Sequence, residues 1–230
     1  MTWLHPSERV PLWLSLEVAV RSVLMCLPAA ILIAWLLARR RFHGRALVDA
    51  LVHLPLVLPP VAVGYLLLLI FGVRGPVGGW LHREWGLDLI FTRNGAALAT
   101  AVMTFPVMVR AMRISLENVD HGLEDAARML GAGPFDRFAT VTLPLMLPGV
   151  LAGMIMAFSA GLGEFGAVIT FVSNIPGETR TLPLALYTAL QSPGGDAAAA
   201  RLAAISITLG LGGLLVAEWF ARRVRRMLGR

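Results

Sequence analysis

Residues 12–41 read LWLSLEVAVRSVLMCLPAAILIAWLLARRR, an apolar run that ends in consecutive arginines. A helix needs about 20 apolar residues to cross roughly 30 Å of hydrocarbon, and this run is long enough to do so. The arginines Arg39, Arg40 and Arg41 are costly to translocate in a short loop, so they mark this end of the run as cytoplasmic. The stretch therefore predicts a transmembrane helix whose amino end lies outside the cell.

The rest of the 230-residue chain repeats this pattern. Hydrophobic residues make up 57% of the sequence and charged residues 15%, a composition too apolar for a soluble domain. Further apolar runs cover residues 46–71, 95–112, 138–162 and 202–220, and arginines follow the last of them. We predict an all-α integral membrane protein with five transmembrane helices, six being the alternative count. The arginine clusters predict an outside amino terminus and a cytoplasmic carboxyl terminus, with residues 1–230 forming one transmembrane domain.

Two segments between the runs are less regular. Residues 72–94 form an outer loop whose Trp80 and Trp85 suit the headgroup region of the membrane. Residues 161–195 contain two apolar pieces that are too short to span. We predict a kinked extension of the fourth helix, an outer loop and a short helix packed against the bundle, because irregular backbone at membrane depth needs shielding by protein.

The composition excludes several kinds of chemistry. All 20 basic residues are arginines, and without lysine the chain has neither a Walker A phosphate loop nor a Schiff-base lysine. Cys26 is the single cysteine, so two-cysteine metal and redox motifs are absent, as is an HExxH motif. We therefore predict no catalytic residue, no metal site and no cofactor bound by this chain.

The cytoplasmic segment of residues 118–137 has the signals of a short, capped helix. Asp120 is the predicted N-cap, and Gly131 is the predicted left-handed stop. Glu124 and Arg128 are spaced to pair along the polar side. One face of the helix carries Leu123, Ala126, Ala127 and Leu130.

A helix this short is marginal alone and needs a surface to lie on. That surface is the ends of the chain's own helices, the membrane interface or a groove in a partner protein. The small side chains of Ala126 and Ala127 favour close approach to a protein over insertion into lipid.

The same segment resembles a known family. Asp-Ala-Ala at 125–127, then Gly131, then Val-Thr-Leu-Pro at 141–144 is similar to the EAA signature of permease subunits of ABC importers, E-A-A-x3-G-x9-I-x-L-P. Asp125 replaces the signature Glu and Val141 the signature Ile. The resemblance implies a type I importer permease whose loop docks on a separate ATPase. The residues that it implies for ATPase coupling are Glu124, Asp125, Ala126, Ala127, Leu130, Gly131, Leu143 and Pro144.

Three further stretches resemble the molybdate and sulfate branch of these permeases. They are LPLVLPPVAVGY at 54–65, GLGEFGAVITF at 161–171 and NIPGETRTLP at 174–183. The resemblance implies a multi-pass protein of the bacterial inner membrane that imports molybdate or tungstate by alternating access, with sulfate or thiosulfate as the alternative cargo. It also implies that the subunit is not itself an enzyme, because ATP and Mg²⁺ sit on the partner.

The implied assembly is a homodimer with two cytoplasmic ATPase subunits and an external oxyanion-binding protein, surrounded by lipid and without nucleic acid. Five helices do not enclose a solvated path, which favours a two-fold dimer with a shared path. Proline and glycine supply the bends that gating needs. The residues predicted for the gate or path are Pro55, Pro59, Pro60, Gly64, Ser159, Gly163, Glu164, Phe165 and Gly166.

Glu164 would repel a dianion, so we expect it near the outer surface rather than on the path. There it would pair with Arg180, meet the binding protein or serve as a structural hydrogen-bond acceptor.

Two rival functions are weaker. Residues 157–161, AFSAG, distantly echo a serine nucleophile turn, but all five histidines precede Ser159, which argues against an intramembrane serine hydrolase. A stand-alone channel or ion-driven carrier would need paired ionisable residues near mid-membrane, and it would leave the EAA-like loop unexplained.

Overall fold

The computed structural model describes residues 6–227, and every regular element in that range is helical, which confirms the predicted all-α class. The helices are α1 (Pro6–Arg39), α2 (Arg45–Val57), α3 (Pro60–Phe71), α4 (Pro76–Trp85), α5 (Arg93–Glu117), α6 (His121–Met129), α7 (Pro134–Arg137), α8 (Leu143–Leu162), α9 (Gly166–Val172), α10 (Leu182–Leu190) and α11 (Asp196–Met227). A π-helical turn, Phe138–Thr142, joins α7 to α8.

Four stretches in the described range are long and apolar enough to cross a membrane: Glu8–Arg39, Arg93–Glu117, Pro134–Leu162 and Asp196–Val216. The pair α2 and α3 gives a fifth candidate, although the two helices are bent by 116°. The chain thus has four or five candidate spans.

The bend between α2 and α3 lies where consecutive prolines predicted one. Leu58 and Pro59 both adopt extended backbone, with ψ of 145° and 134°. A residue before proline is driven out of the helical region, so Leu58 and Pro59 leave it in succession. The predicted continuous run at 46–71 is therefore two helices, whereas α2 continues unbroken through Pro55.

Helix α5 is the centre of the fold and packs against α1 and α8. Small residues let these helices approach closely. A methyl group added at Gly149 of α8 would lie 2.2 Å from Ser115 of α5. Ala96 and Ala99 of α5 are fully buried in the core that also contains α3 and α9.

Ion pairs tie the outer helices to this core. Glu8 of α1 lies 2.7 Å from Arg201 of α11. Arg113 of α5 lies 2.9 Å from Asp49 of α2 and 2.8 Å from Glu117. Helix α5 thus runs past the predicted end near residue 112, because its charged last turn is paired.

The two segments predicted to be irregular, residues 72–94 and 161–195, both contain helices. Helix α4 lies within the predicted outer loop of residues 72–94, with Trp80 and Trp85 exposed and their rings 5.4 Å apart. In residues 161–195, α9 is the broken extension of the fourth predicted helix and α10 packs on α11 and α1. The prediction of a short helix packed against the bundle is confirmed.

Candidate coupling segment and gate

Helix α6 has the termini that its sequence predicts. The Asp120 side chain accepts a hydrogen bond of 2.8 Å from the amide of Gly122, which caps the start of the helix. At the other end Gly131 has φ of +88°. The amide of Ala132 donates to the carbonyl of Ala127 over 3.0 Å, and that of Gly131 to Arg128 over 3.0 Å, which is the Schellman arrangement.

The apolar residues of this segment are not covered by the rest of the described chain. Met129 and Leu130 are each 89% exposed, and Phe135 of α7 is 83% exposed. Ala126 and Gly131 are exposed, and Ala127 is half-buried beside them. We call the exposed set Leu123, Met129, Leu130 and Phe135 the apolar coupling face. Several exposed apolar side chains within one short segment are typical of a protein-binding surface.

The two carboxylates at the start of α6 point in different directions. Asp125 is exposed. Glu124 turns towards the helix bundle, where its Oε1 accepts a hydrogen bond of 2.8 Å from Thr142 and lies 3.3 Å from Nη2 of Arg39. The predicted pairing of Glu124 with Arg128 is therefore wrong. Nearby tertiary partners outcompete a pair along one helix, which is worth only about 0.5 kcal/mol.

The π-helical turn lies directly before Pro144. Proline has no amide hydrogen, so the ordinary bond from residue 144 to the carbonyl of Thr140 cannot form. In the turn itself, the amide of Leu143 donates to the carbonyl of Phe138, five residues back. Leu143 is half-buried against the core and Pro144 is exposed. Among the residues predicted for coupling, these two lie at the base of the segment rather than on its exposed face.

The bend of α2 and α3 packs directly against the break between α8 and α9. A methyl group added at Gly64 would lie 2.7 Å from the carbonyl oxygen of Ala167 and 2.7 Å from Cβ of Thr170. One added at Gly166 would lie 2.7 Å from Cβ of Pro60. Glycine at both positions therefore permits backbone contact between α3 and α9.

Glu164 and Phe165 occupy the break itself. The Glu164 Oε1 accepts a hydrogen bond of 3.0 Å from the amide of Ala167 and so caps α9. Glu164 thus makes the predicted structural hydrogen bond, and it is not paired with Arg180, which donates to Asn174 over 2.9 Å. The Phe165 ring lies 5.1 Å from that of Tyr187 on α10. The break is thus held by the hydrogen bond of Glu164 to α9 and by the ring contact of Phe165 with α10.

Comparison with known proteins assigns the family. Residues 27–226 match the family described as binding-protein-dependent transport system inner membrane component. The chain belongs to this family. The "Molybdenum transport system permease protein ModB" of Escherichia coli strain K12 is 57% identical over 94% of this chain and 95% of its own length. The protein of the same name from Haemophilus influenzae is 54% identical over 94% of each chain.

More distant relatives share the architecture. A probable sulfate transport system permease protein of Nephroselmis olivacea is 35% identical over 86% of this chain and 69% of its own. The crystal structure of a bacterial ABC transporter that imports the acidic polysaccharide alginate superposes with a TM-score of 0.73. It covers 96% of this chain and 81% of the other at 19% identity, so this likeness concerns the fold alone.

As a member of this transport family, the chain is a membrane transport subunit and not an enzyme.

Ser159, the residue on which the hydrolase alternative was based, lies where α8 meets α11. Its Oγ would be 2.4 Å from a methyl group at Gly213, and it has no hydrogen-bond partner in the part of the chain that is described. The position indicates helix packing.

The gate residues predicted for this subunit thus fall into two groups. Those that meet at the bend and the break are Pro59, Pro60, Gly64, Gly163, Glu164, Phe165 and Gly166. Pro55 and Ser159 lie elsewhere: Pro55 lines an apolar cleft of about 490 Å³ between α1, α2 and α5 that also touches Cys26.

Arg39 and Thr142 are the residues of the coupling region that sequence reasoning missed. Arg39 was indistinguishable from its neighbours within the arginine cluster, and its side chain is only 5% exposed. Thr142 lies between Val141 and Leu143 in the EAA-like signature, at a position where the signature specifies no residue type.

Proposed function

We propose that the chain is the membrane-spanning subunit of an ATP-driven importer of molybdate. The observation that carries this proposal is the 57% identity to a molybdenum transport permease over 94% of the chain. The likeness to a sulfate permease is weaker, at 35%. Tungstate is so similar to molybdate in size and charge that we include it in the same cargo class.

In the proposed assembly two copies of the chain share a path along a two-fold axis, and each copy docks on one cytoplasmic ATPase subunit. The apolar coupling face supports this, because exposed apolar side chains on a short, capped helix suit a protein groove. Asp125, Ala126, Ala127 and Gly131 border that face and complete the proposed contact. With the amino terminus outside, the arginines that follow α1 lie on the same side as α6.

Import would follow from rigid-body movement of the two copies. Closure of the ATPase pair on ATP draws the two α6 helices together, and the halves rock from an inward-open to an outward-open path. The contact of α3 with α9 is the proposed gate, since its glycines let two broken helices meet closely. An external binding protein delivers the oxyanion, as the family's dependence on a binding protein implies.

The test is reconstitution. Vesicles would contain the chain with the ATPase that co-purifies with it, ATP on the ATPase side and the binding protein on the other. We expect uptake of labelled molybdate that needs ATP and binding protein and exceeds uptake of sulfate under the same conditions. Equal uptake by vesicles that lack the ATPase would overturn the proposal, and faster sulfate uptake would reassign the cargo.

A further inference from the structure

The carboxylate of Glu124 is the point at which three separate segments meet. Its Oε1 receives the Thr142 hydroxyl at 2.8 Å and lies 3.3 Å from Nη2 of Arg39. The same Arg39 nitrogen donates to the carbonyl of Val119 over 3.2 Å. We call Arg39, Val119, Glu124 and Thr142 the Glu124 junction. It joins the end of α1, both sides of the α6 N-terminus and the π-helical turn that precedes α8.

The junction is largely shielded from solvent. The Arg39 side chain is 5% exposed, Thr142 is 2% exposed and the Glu124 side chain is 20% exposed. A charge withdrawn from water in this way is stable only when it is paired and hydrogen-bonded. Charge-assisted bonds are also stronger than those between neutral groups. The junction is therefore a firm connection rather than a loose surface pair.

Polar contacts, not apolar packing, hold α6 to the bundle at this point. The larger apolar side chains of the segment, Met129, Leu130 and Phe135, face away from the bundle. Asp125 is exposed beside them. Of the two adjacent carboxylates, Asp125 therefore faces outward and Glu124 faces the helix bundle. Force applied to the outer face would reach the transmembrane helices through Glu124.

We propose that Arg39 and Thr142 are positioning residues for coupling. They bind the carboxylate of Glu124, so that displacement of α6 moves α1 and α8 together. This inference rests on the proposed function. It assigns Glu124 to a contact within its own chain, and it leaves the outer contact with the ATPase to Asp125 and the apolar coupling face.

The experiment compares variants in the purified complex of the chain with its ATPase. Arg39→Gln removes the charge, and Thr142→Val removes the hydroxyl while keeping the shape. Arg41→Gln is the matched control, because Arg41 is an exposed arginine of the same cluster. Two quantities are measured per assembled complex: ATP hydrolysis with and without binding protein, and molybdate transported per ATP hydrolysed.

We expect Arg39→Gln to lower molybdate transported per ATP by about tenfold, in line with the loss of a charged hydrogen bond. Thr142→Val should lower it less, Arg39→Lys should restore part of it, and Arg41→Gln should leave it unchanged. A merely structural role would reduce the amount of complex without altering this ratio. If Arg39→Gln does not fold, Thr142→Val decides the question alone.

The proposal is overturned if the variants that assemble transport as much molybdate per ATP as the parent complex does. That result would leave the proposed function standing, since the parent complex still transports. Failure of the parent complex to transport molybdate would instead contradict the proposed function itself.

Discussion

Substitution of Gly64 by alanine tests the contact on which the proposed gate depends. The added methyl group would lie 2.7 Å from both the carbonyl oxygen of Ala167 and Cβ of Thr170. Carbon atoms pack best at about 3.5–4.0 Å, so α3 and α9 must separate by roughly 1 Å. Overpacking of this kind costs about 1–3 kcal/mol. In a chain of this size that loss corresponds to a melting temperature lower by roughly 2–12 °C.

The matched control is Gly163→Ala, in the break between α8 and α9. There the nearest atom to the added methyl group is the carbonyl oxygen of Ala160 at 3.7 Å, an ordinary contact. Thermal unfolding in detergent, together with molybdate uptake in vesicles, measures both variants. We expect Gly64→Ala to lose stability and uptake, whereas Gly163→Ala keeps its stability. Equal melting temperatures for the two variants would refute the argument that close packing of α3 on α9 holds the gate.

Three further substitutions and one control test other parts of the structure. Leu130→Asp should leave the fold intact, because that side chain is 89% exposed, yet weaken ATPase binding in a pull-down titration by about 10- to 100-fold. Arg201→Met removes the 2.7 Å ion pair to Glu8, which is 4% exposed, and should cost about 1–3 kcal/mol in denaturant unfolding. The exposed pair broken by Arg222→Met should cost less than about 1 kcal/mol, and a similar loss for both would contradict the inferred burial. Thr92→Ala removes the N-cap of α5 and should cost about 0.5–2 kcal/mol, whereas an unchanged unfolding curve would show that the cap contributes nothing.

The coupling segment was predictable because its signals are local. An N-cap at Asp120 and a left-handed stop at Gly131 act within a few residues of where they stand, and each is present. The bend at Leu58 and Pro59 was predictable for the same reason, since proline restricts its own backbone and that of its neighbour.

Features that depend on distant residues were not predictable from one sequence. The sequence separates Arg39 from Glu124 by the whole of α2 to α5, so nothing local marks Arg39 as the arginine to be buried. The packing of α9 against α3 is likewise a contact between distant residues that no local signal marks. Helix α4 was missed because its glycines and tryptophans suggest a loop at the headgroup region.

The central claim is that α6 contacts a separate ATPase, and site-specific crosslinking tests it most directly. Cysteine is introduced by Met129→Cys in a Cys26→Ala background, since Met129 is 89% exposed on the apolar coupling face. The control is Trp85→Cys on α4, a residue that is 65% exposed and belongs to the predicted outer segment. We predict that a short bifunctional thiol reagent links the position 129 cysteine to a cysteine placed in the ATPase groove, and that the position 85 cysteine forms no such link. Linkage from position 85 but not from position 129, or from neither position in a complex that hydrolyses ATP in response to binding protein, would contradict the account.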